Sequence, residues 1–246
     1  MTSQPTQPTA ASSSSSPVPY TFDLYTYYRS SCSARVRIAL HHKGIPFTSI
    51  PIHLLKSEQT SNDFRELNPN LKVPVLVVHP DGGDNVYTIT QSLAALEFLE
   101  EITADDPEKS LLPKDPKDRA TARSLAQLIA ADLQPVTNLH IQIRVRDQLH
   151  GDSAIWAREL TIAGLTAYET LVAVSAGKFS VGDQLTIADL CLLPAVWNAY
   201  RCEIDVKSKF PIIWGITERM ERDVEAVKLG HWMSQPDTPE EFKGKS

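Results

Sequence analysis

Cysteine is scarce in this chain: Cys32, Cys191 and Cys202 are the only three among 246 residues. Three thiols cannot form a full disulfide framework, and their spacing is not that of a zinc site. We therefore expect no metal and a reducing compartment, the cytosol. Also missing is any apolar run long enough to span a bilayer, so no membrane partner is expected. The N-terminal stretch lacks the apolar segment of a secretory signal. With no Lys or Arg before Arg29 it also lacks the basic face of a mitochondrial presequence. No basic stripe is available to neutralise phosphates, and the net charge is -6, which argues against a nucleic-acid partner. The densest basic run, Arg35, Arg37 and Lys43, reads as the solvated face of one helix.

What is present suffices for a core, since 42% of the residues are hydrophobic. Residues 1–19 are mostly Ser, Thr, Pro and Gln and are expected to form a disordered tail. The stretch from Tyr20 to Leu40 then organises the chain. Phe22 and Leu24 alternate with polar neighbours as in a strand, and after Cys32 the spacing becomes the helical one of Val36, Ala39 and Leu40. Ser30, Ser31 and Cys32 thus stand where a strand hands over to a helix N-terminus. Unpaired amides and the positive end of the helix dipole favour an anion there, and a bound thiolate would suit the place. The plainer alternative is that the serines only cap the helix and Cys32 only packs.

Gly44 can end this helix, and Phe47 to Ile52 reads as a second strand. Asn62 or Asp63 can cap a short helix ending near Asn68, and Val75 to Val78 is a third strand. Pro74 is either an edge device or a cis turn exposing the Val73 backbone, and the residues alone favour the edge. Pro80 to Asn85 is a hairpin turn returning through Val86 to Ile89. Gln91 and Ser92 open an amphipathic helix, where Ser92 either caps it or holds a carboxylate. The order is βαβαββα over residues 20–104, with a linker at 105–117 and an all-helical unit at 118–246. In that unit Pro135 interrupts or kinks the first helix. Ser153 caps a long helix whose inner face is Trp156, Leu160, Ala163, Ala167, Leu171 and Val174. Thr186 to Asp189 has the form of a capping box, which makes Asp189 structural and not a catalytic acid, and Pro211 starts a helix to about Val224.

The segments SSCSARVRIAL (Ser30 to Leu40), LNPNLKVPVL (Leu67 to Leu76), TQS (Thr90 to Ser92), LQPVTN (Leu133 to Asn138), VGDQLTIADLCLLP (Val181 to Pro194) and QPDTP (Gln235 to Pro239) resemble zeta-class glutathione transferases. The resemblance covers nearly all the chain outside the tail. It implies an α/β thioredoxin-like domain followed by an all-α domain, the glutathione transferase architecture, as a homodimer in the cytoplasm. It also implies the activity of that class: glutathione-dependent cis–trans isomerisation of maleylacetoacetate, a small dicarboxylate, in tyrosine and phenylalanine breakdown, with transferase side activity.

For the site, the resemblance implies a cis Pro74, against the reading from the residues alone, with the Val73 backbone on the cysteinyl part of glutathione. Gln91 and Ser92 would hold the γ-glutamyl end, and Gln59, Gln134 and Asn138 would be further contacts. Ser30 would be the thiolate partner, with Ser31 and Cys32 shaping the same turn. Arg201 would meet the substrate carboxylate, and Arg29 is the second candidate cation. Ala34 stands where the class commonly has Trp, and the hairpin at Pro80 to Asn85 is longer than usual. Two rival functions are a thiol reductase built on Cys32 and a non-catalytic scaffold.

Overall fold

A computed structural model describes residues 18–83 and 85–243. The expected tail lies outside the described residues except for Val18, which is buried in the core, and Pro19, whose carbonyl accepts from Asp81 N. The first part of the chain follows the expected order: β1 (Tyr20–Thr26), α1 (Ser31–Lys43), β2 (Thr48–Pro51), α2 (Asn62–Leu67), β3 (Val75–Pro80), β4 (Tyr87–Thr90) and α3 (Ser92–Ile102). The sheet runs β2-β1-β3-β4, with β1 parallel to β2 and antiparallel to β3, and β4 antiparallel to β3. Phe22 and Leu24 point to the face covered by α1 and α3, in one core with Val36, Ile38, Leu40, Leu96 and Leu99. Their alternation partner Tyr25 packs on the other face with Phe64 of α2, Val75 and Val77. β3 lies between β1 and β4, so Pro74 is no edge device. The Val73-Pro74 bond is cis and precedes the ladder, which starts at Val75 opposite Tyr25 and Thr90.

The second part is helical: α4 (Pro116–Gln127), a π-helical stretch at Leu128–Leu133, α5 (Gln134–Thr137), α6 (Leu139–Asp147), α7 (Ser153–Val172), α8 (Ile187–Arg201), α9 (Val206–Lys209), α10 (Pro211–Asp223) and α11 (Glu225–Gly230). Pro135 falls just after the π-helical stretch, in the first turn of α5, where its missing N–H is tolerated. The centre of this half is α8, buried at every residue from Ile187 to Ala195 and packed on both α1 and α4.

Several local expectations need correction. Ser61 caps α2 in place of the expected Asn62 or Asp63, and Asp152 caps α7 one residue before the expected Ser153. The buried stripe of α7 is Ala157, Thr161, Leu165, Tyr168 and Val172, whereas Trp156, Leu171 and Val174 are 40%, 49% and 91% exposed. Both stripes have helical spacing. The polar members decide between them, because the Tyr168 hydroxyl finds Ser180 Oγ at 2.8 Å in the interior. The largest departure is the basic run. Arg35, Arg37 and Lys43 are not solvated but 1%, 0% and 1% exposed, since α1 is enclosed by the sheet, α3, α8 and α11.

The capping box at α8 is present, and the Asp189 carboxylate also accepts from Ser180 N at 2.7 Å. Asp189→Ala would leave buried donors unpaired, so chemical denaturation should show a loss of about 2–4 kcal/mol, with turnover per folded molecule retained. A second prediction concerns His231. Burial first, and then Arg37, pull its pKa from 6.5 to about 4. Its Nδ1 accepts from Met233 N at 3.2 Å, and its ring stands edge-on to Trp197. The unfolded chain takes up the proton at a higher pH than the native one. The neutral ring's contribution is therefore complete above 6.5 and lost progressively as pH falls toward about 4. The thermal midpoint of His231→Gln should fall less steeply over that window than the wild type's.

Candidate active site

Ser30 is the N-cap of α1, with extended backbone angles, its Oγ accepting from Ser33 N at 3.2 Å. The cap occupies a lone pair of the oxygen, and the hydroxyl proton stays free to donate. Ser30 N donates to Tyr27 O at 2.9 Å, which ties the turn to the end of β1. Ser31 follows on the wall of a narrow cleft between the two halves, shared with Arg35, Gln134, Thr137 and Asn198. Cys32 is half-buried and turned inward, with Arg35 and Cys191 as electrostatic neighbours. The three residues thus divide between capping, the cleft wall and the domain interface. A wider hollow of about 380 Å³ lies at the far end of α1, beside His42, Glu108 and Asp183, away from this turn.

A second helix start converges here. Gln91, at φ 71, precedes α3 in a backbone conformation that a non-glycine residue holds only at a cost. Its side chain makes no cap bond and is exposed. Ser92 is not the cap. It is the first residue of α3, 6% exposed, and its Oγ accepts from Arg35 Nη1 at 3.0 Å. Val73 is 8% exposed, and its amide and carbonyl precede the ladder. Gln59 sits in a short 3₁₀ turn, Glu58–Thr60, with a buried Oε1 that has no partner among the described residues. Asn138 is spent locally: Oδ1 accepts from Ile141 N at 3.0 Å as the cap of α6, and Nδ2 donates to Pro135 O at 2.8 Å.

Arg201 ends α8, and its Nη2 donates to Asn198 Oδ1. Burial and then the charge of Arg29 lower its pKa to about 10, so it is cationic at neutral pH. Arg29 and Arg201 therefore face one region, beside Tyr27 and Tyr28, and among the described residues neither pairs with a carboxylate. Two unpaired guanidinium groups suit a dianion. Sequence reasoning missed Arg35, Thr137, Asn198, Tyr27 and Tyr28. Only Asn198 carried a usable signal, being three residues before Arg201 on the same helix face.

The residues fit an anionic thiol peptide: two helix starts for negative groups, an orphan acceptor at Gln59 and unpaired cations at the rim. Among the described residues no group of three or more His, Cys, Asp or Glu could hold a metal ion, and no helix is long and apolar enough to cross a membrane.

The sequence matches the glutathione S-transferase N-terminal domain over residues 29–102 and the glutathione S-transferase C-terminal domain over residues 159–223. It is 52% identical to a maleylacetoacetate isomerase of Aspergillus fumigatus, over 91% of this chain and 95% of that one. The fold is similar to maleylacetoacetate isomerase from Anaeromyxobacter dehalogenans with glutathione bound, with a TM-score of 0.81 and 36% identity, covering 90% of this chain and 100% of that one. The same bacterial enzyme has been solved with dicarboxyethyl glutathione and citrate in its active site. A bacterial maleyl pyruvate isomerase of the zeta class is similar at a TM-score of 0.79 and 35% identity, over 88% of this chain and all of that one. With both halves matched and the site assembled where they meet, the chain belongs to the glutathione S-transferase family, in the zeta class among the maleylacetoacetate isomerases.

Proposed function

We propose that this protein is a glutathione-dependent maleylacetoacetate isomerase with transferase side activity. The observation that carries this reading is the Ser30–Cys32 turn at a helix start, whose Ser31 shares a cleft with Asn198, the partner of Arg201, while Arg29 of the same turn lies close enough to Arg201 to act on its charge. Bound glutathione supplies a thiolate that adds to one carbon of the cis C=C bond, which then turns as a single bond before the thiolate leaves and the trans alkene re-forms. The chain's task is to hold that anion, orient the dicarboxylate and exclude alternatives. Half-ionising a thiol of ordinary pKa at neutral pH takes about 2 kcal/mol. A hydroxyl hydrogen bond from Ser30 contributes about 1.5–3 kcal/mol and the α1 terminus about 0.3–1, so neutral donors suffice without a catalytic base.

In this reading Val73 pairs with the cysteinyl backbone, while Gln91, Ser92, Gln59 and Gln134 hold the rest of the tripeptide. Asn138 acts through the placement of α6. Arg201, oriented by Asn198, takes one substrate carboxylate, and Arg29 stands second. The reading also places the enzyme in the cytosol as a homodimer serving tyrosine and phenylalanine breakdown. Three free thiols suit a reducing compartment.

Glutathione-dependent conversion of maleylacetoacetate by the purified protein is the direct test, and no turnover would reject the reading. Ser30→Gly removes the hydroxyl while costing the cap only a few tenths of a kcal/mol. It should therefore cut kcat/KM about tenfold or more at nearly unchanged stability, with Cys32→Ala mild by comparison. A silent Ser30→Gly beside an inactive Cys32→Ala would point instead to thiol redox chemistry. Arg201→Ala should cost about 1.5–3 kcal/mol, about ten- to a hundredfold in kcat/KM, on the diacid. A neutral electrophile and glutathione affinity should be little affected. Equal losses on both substrates would assign Arg201 to the fold.

A further inference from the structure

Helix α1 carries three cations into the interior, and two of them are matched in full. Arg37 donates to Gly230 O, Thr26 Oγ1, Tyr27 O and Tyr28 O. Lys43 pairs with Glu100 and donates to Thr103 Oγ1 and Lys109 O. Arg35 differs. At 1% exposure it makes one hydrogen bond, from Nη1 to Ser92 Oγ at 3.0 Å, while Nε and Nη2 have no partner and no carboxylate pairs with it among the described residues. The ionisable groups that act on its charge are the Cys191 and Cys32 thiols. Burial pushes the Cys191 thiol up to about 11, so Cys191 is neutral at working pH and is no counter-ion.

A buried guanidinium without a counter-charge is costly, and one with open donors doubly so. Arg35 also lines the cleft with Ser31, Gln134 and Asn198, so the uncompensated charge stands under the region where both helix starts converge. Its single bond has a direction. Because the Ser92 oxygen accepts from Arg35, the Ser92 proton must point elsewhere, and the hydroxyl is held as a donor.

We propose that Arg35 is a positioning residue for glutathione: its buried guanidinium fixes the Ser92 hydroxyl as a donor to the γ-glutamyl carboxylate, and that carboxylate is the counter-charge Arg35 lacks within the protein. The proposal rests on the reading of Ser92 as a glutathione contact and adds the residue that sets the polarity of that contact. Arg35 acts through Ser92 and through its field.

The test compares glutathione with γ-aminobutyryl-cysteinyl-glycine, which keeps the thiol and the glycyl carboxylate but lacks the γ-glutamyl α-carboxylate. Both are titrated by calorimetry into the wild type, Arg35→Gln and Arg35→Lys. Arg35→Gln should weaken glutathione about tenfold or more, leave the analogue within about twofold, and raise KM for glutathione more than it lowers kcat, with Arg35→Lys recovering part of the loss. Equal weakening of both peptides in a folded variant, or unchanged glutathione affinity, overturns the role. A measurement on the wild type covers the case in which neither variant folds. The Arg35 Nε–H resonance should shift on adding glutathione and stay in place with the analogue, and equal responses to the two peptides count against the proposal. Glutathione binding that resists both changes leaves the isomerase reading standing, whereas a wild type that binds no glutathione removes both.

Discussion

Arg37 places its guanidinium at a point with 0% exposure, where each hydrogen-bonded acceptor belongs to the active-site end of the molecule. Thr26 closes β1, Tyr27 and Tyr28 form the loop leading into Ser30, and Gly230 ends α11. Burial lowers its pKa to about 10, and the charge of Asp237 opposes the fall. Asp237 in turn receives Tyr28 N at 2.9 Å. The loop before the turn is therefore clamped from behind by an arginine on α1 and by the C-terminal QPDTP segment, 209 residues away. Letting Arg29 and Ser30 drift would uncover a charge in the interior, at a cost of several kcal/mol. The clamp also depends on Gly230. A Cβ there would lie 2.6 Å from Ile38 Cγ1 and 3.0 Å from Ile38 N, so only glycine lets α11 approach α1 closely enough for its carbonyl to reach Arg37.

Against that fixed loop, the distribution of charge explains how an acidic chain can take an acidic substrate. The net charge of -6 is a property of the whole surface, and long-range repulsion is screened beyond about 8 Å at physiological salt. Some cations away from the cleft are neutralised by carboxylates, as Lys43 is by Glu100, Arg123 by Glu97 and Arg222 by Asp223. At the cleft they are not. Arg29, Arg35 and Arg201 have no carboxylate partner among the described residues, and the amides of two helix starts add to them. Attraction here is local, set by the cations the fold gathers at the cleft without a carboxylate beside them.

Most of the architecture was legible from patterns shorter than about twenty residues. The period-two run at Phe22 and Leu24, the switch at Cys32, Gly44 as a left-handed stop and the Thr186–Asp189 box all carry their cause within the segment. What misled was whatever depended on distant partners. Arg35, Arg37 and Lys43 look solvated because the groups they bond lie outside their own helix, 9 to 193 residues away. The stripe of α7 came out one residue off because Thr161 and Tyr168 are polar by type but buried by context. Ser92 reads as a cap for the same reason: nothing near it announces that Arg35 will bind its oxygen. Pro74 needed the strand order, since only the position of β3 between β1 and β4 removes the edge explanation.

In the proposed reading most glutathione contacts come from the first half and Arg201 from the second, so the reaction depends on how those halves are registered. The register is carried by α1 against α8. The N-terminus of α1 presents Ser30, its inward face offers the small Ser33 and Ala34, both buried, and α8 runs past it to end in Arg201. Small side chains at a helix contact let the two axes come close. A helix advances 1.5 Å per residue, and a misplacement of about 1 Å at a reacting centre can cost about a hundredfold in rate. In the proposed reading the distance from the bound thiol to the carboxylate under Arg201 would be set by two packed helices, with the clamp on Tyr27 and Tyr28 fixing one end and the capping box of α8 fixing the start of the other.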